Sequence, residues 1–125
     1  MSNDLQRLQR KQEEFIQSRD WEQFHTPKSI AMAISIEANE LLELFQWHDN
    51  LSAAAYEDRP EIQTAVEEEL ADVLIYVLSM ASVFEIDLDE AVAAKLEANS
   101  DRFDEANAAA IRRDLAEWQR SESGE

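Results

Sequence analysis

The chain has 125 residues, 45% of them hydrophobic, with one glycine and two prolines. That composition suits one core built from long helices with short connections, an all-α fold. The formal net charge is −17, from 28 acidic against 11 basic residues, which argues against a polymeric nucleic acid as partner. No cysteine is present, so disulfides, thiolate metal sites and a cysteine nucleophile are excluded.

Leu5, Leu8, Phe15 and Ile16 recur at helical spacing and predict a first amphipathic helix over about residues 3–19. Asp20–Lys28 (DWEQFHTPK) breaks that pattern, and Thr26 before Pro27 reads as an N-cap followed by the first helical position. A second helix then runs to about His48, followed by a loop over Asp49–Arg59. Pro60 opens a third helix that reaches about Phe84. Asp87 with Glu90 three residues later forms a capping box for a fourth, ending near Arg102. A weaker helical segment, Ala106–Arg120, follows, and the last residues (SESGE) are expected to be disordered. Four core helices suggest a bundle, completed by a partner chain. The N-terminus lacks the basic and apolar zones of a signal peptide, which leaves a cytoplasmic location as the default, with no membrane partner. Lysine is limited to Lys11, Lys28 and Lys95, so part of the acidity also fits salt adaptation.

Acids stand where a core should be. Leu70–Phe84 (LADVLIYVLSMASVF) carries a single charge, Asp72, and is too short to span a membrane. A helix apolar almost all round is normally buried among others. At about 100° per residue, Glu69, Asp72 and Tyr76 share one of its faces. A desolvated carboxylate there costs several kcal/mol unless it is paired or bound to metal. The second helix repeats the anomaly, with Glu37, Glu40 and Trp47 on a face shared with Ala33 and Leu44, and Glu43 at its edge. Two i, i+3 acid pairs packed against each other would converge four like charges, which makes sense mainly around divalent cations. All-oxygen ligands favour Mg²⁺ or Mn²⁺ over Zn²⁺. A buried ion pair to Lys95 or Arg102 is the structural alternative for Asp72.

The fourth helix supplies a complementary face. Lys95, Asn99 and Arg102, at i, i+4 and i+7, form a polar and cationic row suited to gripping phosphate. Trp47 and Tyr76 lie on the acid-bearing faces and serve either core packing or base stacking.

These strings carry a resemblance. IEANELLELFQW (36–47), EEELADVLIYVL (67–78) and KLEANSDRF (95–103) resemble the MazG-like nucleoside triphosphate pyrophosphohydrolases, and RDWEQFHTPK (19–28) is similar to their dCTP pyrophosphatase branch. The resemblance covers about residues 5–105, giving a MazG-like domain over 1–105 and a helical extension with a tail over 106–125. It implies a four-helix bundle completed by dimerisation, as a homodimer or homotetramer, that hydrolyses a nucleoside triphosphate to the monophosphate and pyrophosphate. It implies Mg²⁺ held by Glu37, Glu40, Glu69 and Asp72, with Mn²⁺ as a substitute, and phosphates held by Lys95, Asn99 and Arg102. The water's proton would pass to Glu40 or Glu43, and the base would meet Trp21, Phe24, His25, Trp47 or Tyr76. Lys28-Ser29 after the proline and Phe103-Asp104 after the last basic residue depart from the family pattern.

Two other classes compete. A ferritin-like di-iron bundle needs two E-x-x-H pairs, and the chain has one, Glu22–His25, just ahead of Thr26-Pro27. A non-catalytic acidic helical-bundle interaction protein has no reason to place Asp72 inside an apolar run.

Overall fold

The structure is a computed structural model that describes residues 4–122. Five α-helices are present among those residues, with no strand: α1 (Asp4–Gln17), α2 (Pro27–Glu43), α3 (Pro60–Val83), α4 (Leu88–Arg102) and α5 (Glu105–Glu122). Short 3₁₀ turns cover Glu22–Phe24 and Ala53–Tyr56. The all-α reading holds. Residues 123–125 and the expected helical start at residue 3 lie outside the described residues. The chain divides into two compact units, one ending at Leu88 and one beginning at Asp89. No helix among the described residues is long and apolar enough to cross a membrane.

In the first unit, α3 is the centre, with α1 and α2 both packed on it. Each helix contributes to one small core: Ile16 from α1, Ile30 from α2, and Leu78 and Ala81 from α3 are buried. That core lies toward the C-terminal end of α3, so the acid-bearing stretch sits beyond its edge. The start of α2 follows from the sequence signal. Thr26 Oγ1 accepts a hydrogen bond from the Ser29 amide at 3.3 Å, and Pro27 fills a first-turn position whose N–H would have no partner.

The end of α2 differs from expectation. The helix stops at Glu43, not near His48, and residues 44–48 continue as tight turns with bonds such as Phe45 N to Leu42 O at 2.9 Å. An aromatic cluster accounts for the change. Phe45 meets Tyr56 edge-on at 5.5 Å, His48 stacks on Tyr56 at 5.8 Å, and His48 Nδ1 hydrogen-bonds the Tyr56 hydroxyl at 3.2 Å. Drawing Tyr56 onto this end of α2 overrides a helical pattern that no proline or glycine interrupts.

Two helix ends use a left-handed residue that is not glycine. Asp20 has φ 54° after α1, and Glu85 has φ 53° after α3. Each is followed by the long closing bond of a Schellman cap, Trp21 N to Ile16 O at 3.1 Å and Ile86 N to Ala81 O at 2.8 Å. A Cβ in this region costs about 1–2 kcal/mol, less for Asp than for Glu. Glu85→Gly is therefore expected to raise the melting temperature by a few degrees, after allowance for glycine's greater freedom in the unfolded chain. A thermal melt beside Glu85→Ala, which retains the Cβ and should show no such gain, checks this.

In the second unit, Asp104 Oδ1 accepts the Asn107 amide at 2.9 Å and caps α5. The segment after 105 is thus a full helix from Glu105 to Glu122, longer than the weak Ala106–Arg120 segment expected. Ser121 and Glu122, expected in a disordered tail, are helical.

Candidate functional site

Packing of α2 on α3 converges their acids. One carboxylate oxygen each from Glu37, Glu40 and Glu69 lie within 4.8 Å of one another, and all three side chains are half-buried. Glu37 Oε2 and Glu69 Oε2 are shut off from solvent and have no hydrogen-bond partner. Burial, then the Glu40 carboxylate beside it, then Glu69 and Asp72 push the Glu37 carboxyl up to about 7. Burial likewise raises Glu69, assisted by the charges of Glu40 and Asp72 and opposed by the neighbouring Glu37 carboxyl, which can donate to it only when protonated. Asp72 is half-buried and stands outside the tight trio, close enough for its charge to act on both.

Buried, unpartnered carboxylate oxygens are costly, and like charges beside them add to the cost. A hard divalent cation removes both penalties, since it takes only oxygen ligands and cancels the repulsion. The donor set therefore fits Mg²⁺ or Mn²⁺. No Lys or Arg of the described residues up to Leu88 forms an ion pair with the four acids.

The raised carboxyls have a measurable consequence. Between pH 4.5, the ordinary glutamate value, and about 7, the folded chain holds a proton at Glu37 that the unfolded chain has released. Stability therefore falls as pH rises through that window. The metal-free protein is expected to melt lower at pH 8 than at pH 5.5, and Glu37→Gln should flatten that slope. Melts at the two pH values in chelator read both effects.

The remaining candidates separate. Glu43 closes α2, is exposed and stands outside the trio. Tyr76 is half-buried one turn beyond Asp72 on α3. Trp47 is 87% exposed, so packing in the core of its own chain is excluded. Trp21 meets Phe15 edge-on at 5.8 Å, with the Arg19 guanidinium 3.8 Å from the Phe15 ring. Phe24 is exposed. His25 Nδ1 bonds the Trp21 carbonyl oxygen at 2.9 Å. Lys95, Asn99 and Arg102 lie on α4 in the second unit, where the expected helix places them along one face, with the Arg102 guanidinium 4.9 Å from the Phe103 ring.

A cavity of about 330 Å³ opens where α1 meets the C-terminal part of α3, and His25 lines it with Gln12, Ile16, Ser79 and others. Gln12 and Ser79 did not stand out in the sequence. The signal was present, because Ser79 is a polar residue inside the apolar run, seven positions after Asp72 and on its face.

The family model described as MazG-like matches residues 32–117; the chain belongs to the MazG-like family. Within it, the chain is 39% identical over 99 residues to dCTP pyrophosphatase 1 of Rattus norvegicus and, at the same identity, to that of Homo sapiens. Those matches cover 79% of this chain and 58% of each relative, so the chain spans less than two thirds of their length. The crystal structure of a pyrophosphatase from Archaeoglobus fulgidus superposes with a TM-score of 0.73 at 43% identity, covering 82% of this chain and 94% of the archaeal one.

Proposed function

We propose that the chain is a Mg²⁺-dependent nucleoside triphosphate pyrophosphohydrolase that releases a monophosphate and pyrophosphate. The observation that carries the reading is the carboxylate trio of Glu37, Glu40 and Glu69, with Asp72 beside it and two buried oxygens lacking any partner. Glu37, Glu40, Glu69 and Asp72 would hold the metal, with Mn²⁺ as a substitute. Bound there, the ion supplies Lewis-acid activation of the phosphates and offsets charge on the leaving pyrophosphate. Glu40, at the cluster, or Glu43, exposed one turn further, takes the proton of the attacking water. Lys95, Asn99 and Arg102 bind the β and γ phosphates and neutralise them as the bond breaks. The cluster needs no covalent intermediate. A non-catalytic acidic bundle gives no account of two carboxylate oxygens buried without a partner. A pyrophosphate-release screen over the common ribo- and deoxynucleotides with Mg²⁺ tests the reading. Release from at least one triphosphate, lost in chelator, is the expected result, and silence across the panel would reject it.

The substrate we propose is dCTP or a related pyrimidine deoxynucleotide, which makes the task control of the nucleotide pool in the cytoplasm. Similarity to dCTP pyrophosphatase 1 supports it. Base binding would draw on Trp21, His25, Trp47 and Tyr76, with Trp47 offering an uncovered ring face. Trp47→Ala should raise KM for the preferred nucleotide at least ~10-fold, since stacking a base on an aromatic ring is worth about 1–3 kcal/mol. Steady-state kinetics check this, and an unchanged KM would remove Trp47 from the site. Assembly belongs to the same proposal. Met32, Ile36 and Leu42 on α2, with Leu70, Leu74 and Ile75 on α3, are exposed, and a second copy in a homodimer or homotetramer would cover them.

A further inference from the structure

The helix α5 carries an apolar stripe that stays exposed. Ala108, Ile111, Leu115 and Trp118 recur at spacings of three, four and three, the a and d positions of a short coiled-coil seam. Asp104 and Glu122 bound the seam at its two ends. Ile111, Leu115 and Trp118 are all exposed, the last two by more than half. With Phe103 they line a groove of about 530 Å³. The helices that pack along one another are α2 with α3 and α1 with α3, and α5 has no such neighbour among the described residues. An 18-residue helix is marginal on propensity alone and draws most of its stability from packing an amphipathic face.

A second copy of the same stripe fits that face. α5 holds four acidic and three basic residues, against 28 and 11 in the whole chain. Two copies therefore meet here with little of the repulsion that a net charge of −17 imposes elsewhere. Side-chain sizes select the direction. Run antiparallel, with Ile111 facing Leu115 of the partner subunit, the seam places Ala108 against Trp118 of the partner subunit at each end. The smallest side chain then faces the largest. Run parallel, Trp118 would face its own copy and Ala108 likewise, which crowds one end and leaves a void at the other. The antiparallel register also sets Arg112 opposite Gln119 of the partner subunit and Asn107 opposite Asp114 of the partner subunit, so no like charges face each other beside the seam.

We propose that α5 pairs antiparallel with α5 of a second copy, each Ala108 receiving the partner's Trp118. Three large side chains from each copy bury less than the roughly 1,200 Å² typical of a stable interface, so the contact is weak and reversible. It is isologous and closes on itself, which joins two copies, or two existing assemblies, and stops there. The pairing uses no residue of the acid cluster and does not depend on the pyrophosphohydrolase reading.

Sedimentation velocity of the full chain at high micromolar concentration tests the pairing on wild type and three variants. Leu115→Glu keeps a good helix former but sets a charge against Ile111 of the partner subunit, and its mass should be half that of wild type. Trp118→Ala empties both ends of the seam and should also halve the mass. Adding Ala108→Trp to Trp118→Ala restores one large and one small residue at each end, and should recover the wild-type mass. Salt should favour the larger species, because it screens repulsion between acidic copies. Equal masses for wild type and Leu115→Glu would overturn the pairing; a lower melting temperature at that unchanged mass would show the stripe covered within its own chain. A swap variant that stays at half mass would overturn the antiparallel register. Dissociation of the wild type by salt would assign the contact to ion pairs and overturn the seam.

Discussion

Glu37→Gln is expected to lose turnover and yet, without metal and above about pH 7, where Glu37 is ionised, to melt higher than the wild-type protein. The wild-type fold holds Glu37 with one oxygen out of water, unpartnered, against Glu40 and Glu69. Replacing the carboxylate by an amide of the same shape removes a repelling charge and supplies a donor to the neighbouring acids. The same change removes a metal ligand. Mg²⁺ should stabilise the wild type by RT ln(1 + [L]/Kd), about 2.7 kcal/mol at 100 times Kd, or a few degrees for a domain of this size. In Glu37→Gln that increment should shrink. Asp72→Asn is expected to behave likewise, abolishing turnover while the metal-free protein melts no lower than wild type. A buried structural ion pair predicts the opposite order. Loss of one partner would destabilise the protein by roughly 3–5 kcal/mol with or without metal, and its response to Mg²⁺ would be unchanged. Thermal melts in chelator and in Mg²⁺, run beside the activity assay, decide between the two.

The second large effect is expected at Arg102. Its side chain is exposed at the end of α4, and its one described ring contact is with the neighbouring Phe103. Arg102→Ala should therefore leave the melting temperature within about a degree, as for most surface substitutions. Loss of a charge-assisted bidentate grip on phosphate costs up to about 3 kcal/mol, which corresponds to a fall in kcat/KM on the order of 100-fold. Arg102→Lys keeps the charge without the planar fork and should recover only part of it. If Arg102 served the fold, its loss would appear in the melt. If it served neither, kinetics and melt would both stay at wild-type values.

The sequence exposes its helices unevenly, for physical reasons. Thr26-Pro27 and Pro60 mark helix starts because a side-chain acceptor and a missing N–H are local facts that need no tertiary context. The central carboxylates are legible because an acid inside an apolar run is anomalous wherever the run is buried. The end of α2 is not legible. Leu44–Trp47 continues the apolar pattern with no breaker, and what ends the helix is Tyr56, eleven residues after Phe45, packing on Phe45 and His48. Trp47 shows the same limit. Its helical register placed it on the acid-bearing face, whereas the early end of α2 leaves it in a turn with an uncovered ring. Glu43 also appeared at the edge of the acid stripe, and the structure leaves it exposed outside the trio. The cavity at Gln12 and Ser79 depends on a contact between residues 67 positions apart, which helical periodicity alone does not encode.

The function proposed for these carboxylates is cleavage between the α and β phosphates of a nucleoside triphosphate. Its most direct test is product analysis by ion-exchange chromatography after incubation of the purified protein with dCTP and Mg²⁺. The expected products are the monophosphate and pyrophosphate in equal amounts, with no orthophosphate, and none from Glu37→Gln. Nucleoside diphosphate with orthophosphate, or undiminished products from Glu37→Gln, would contradict it.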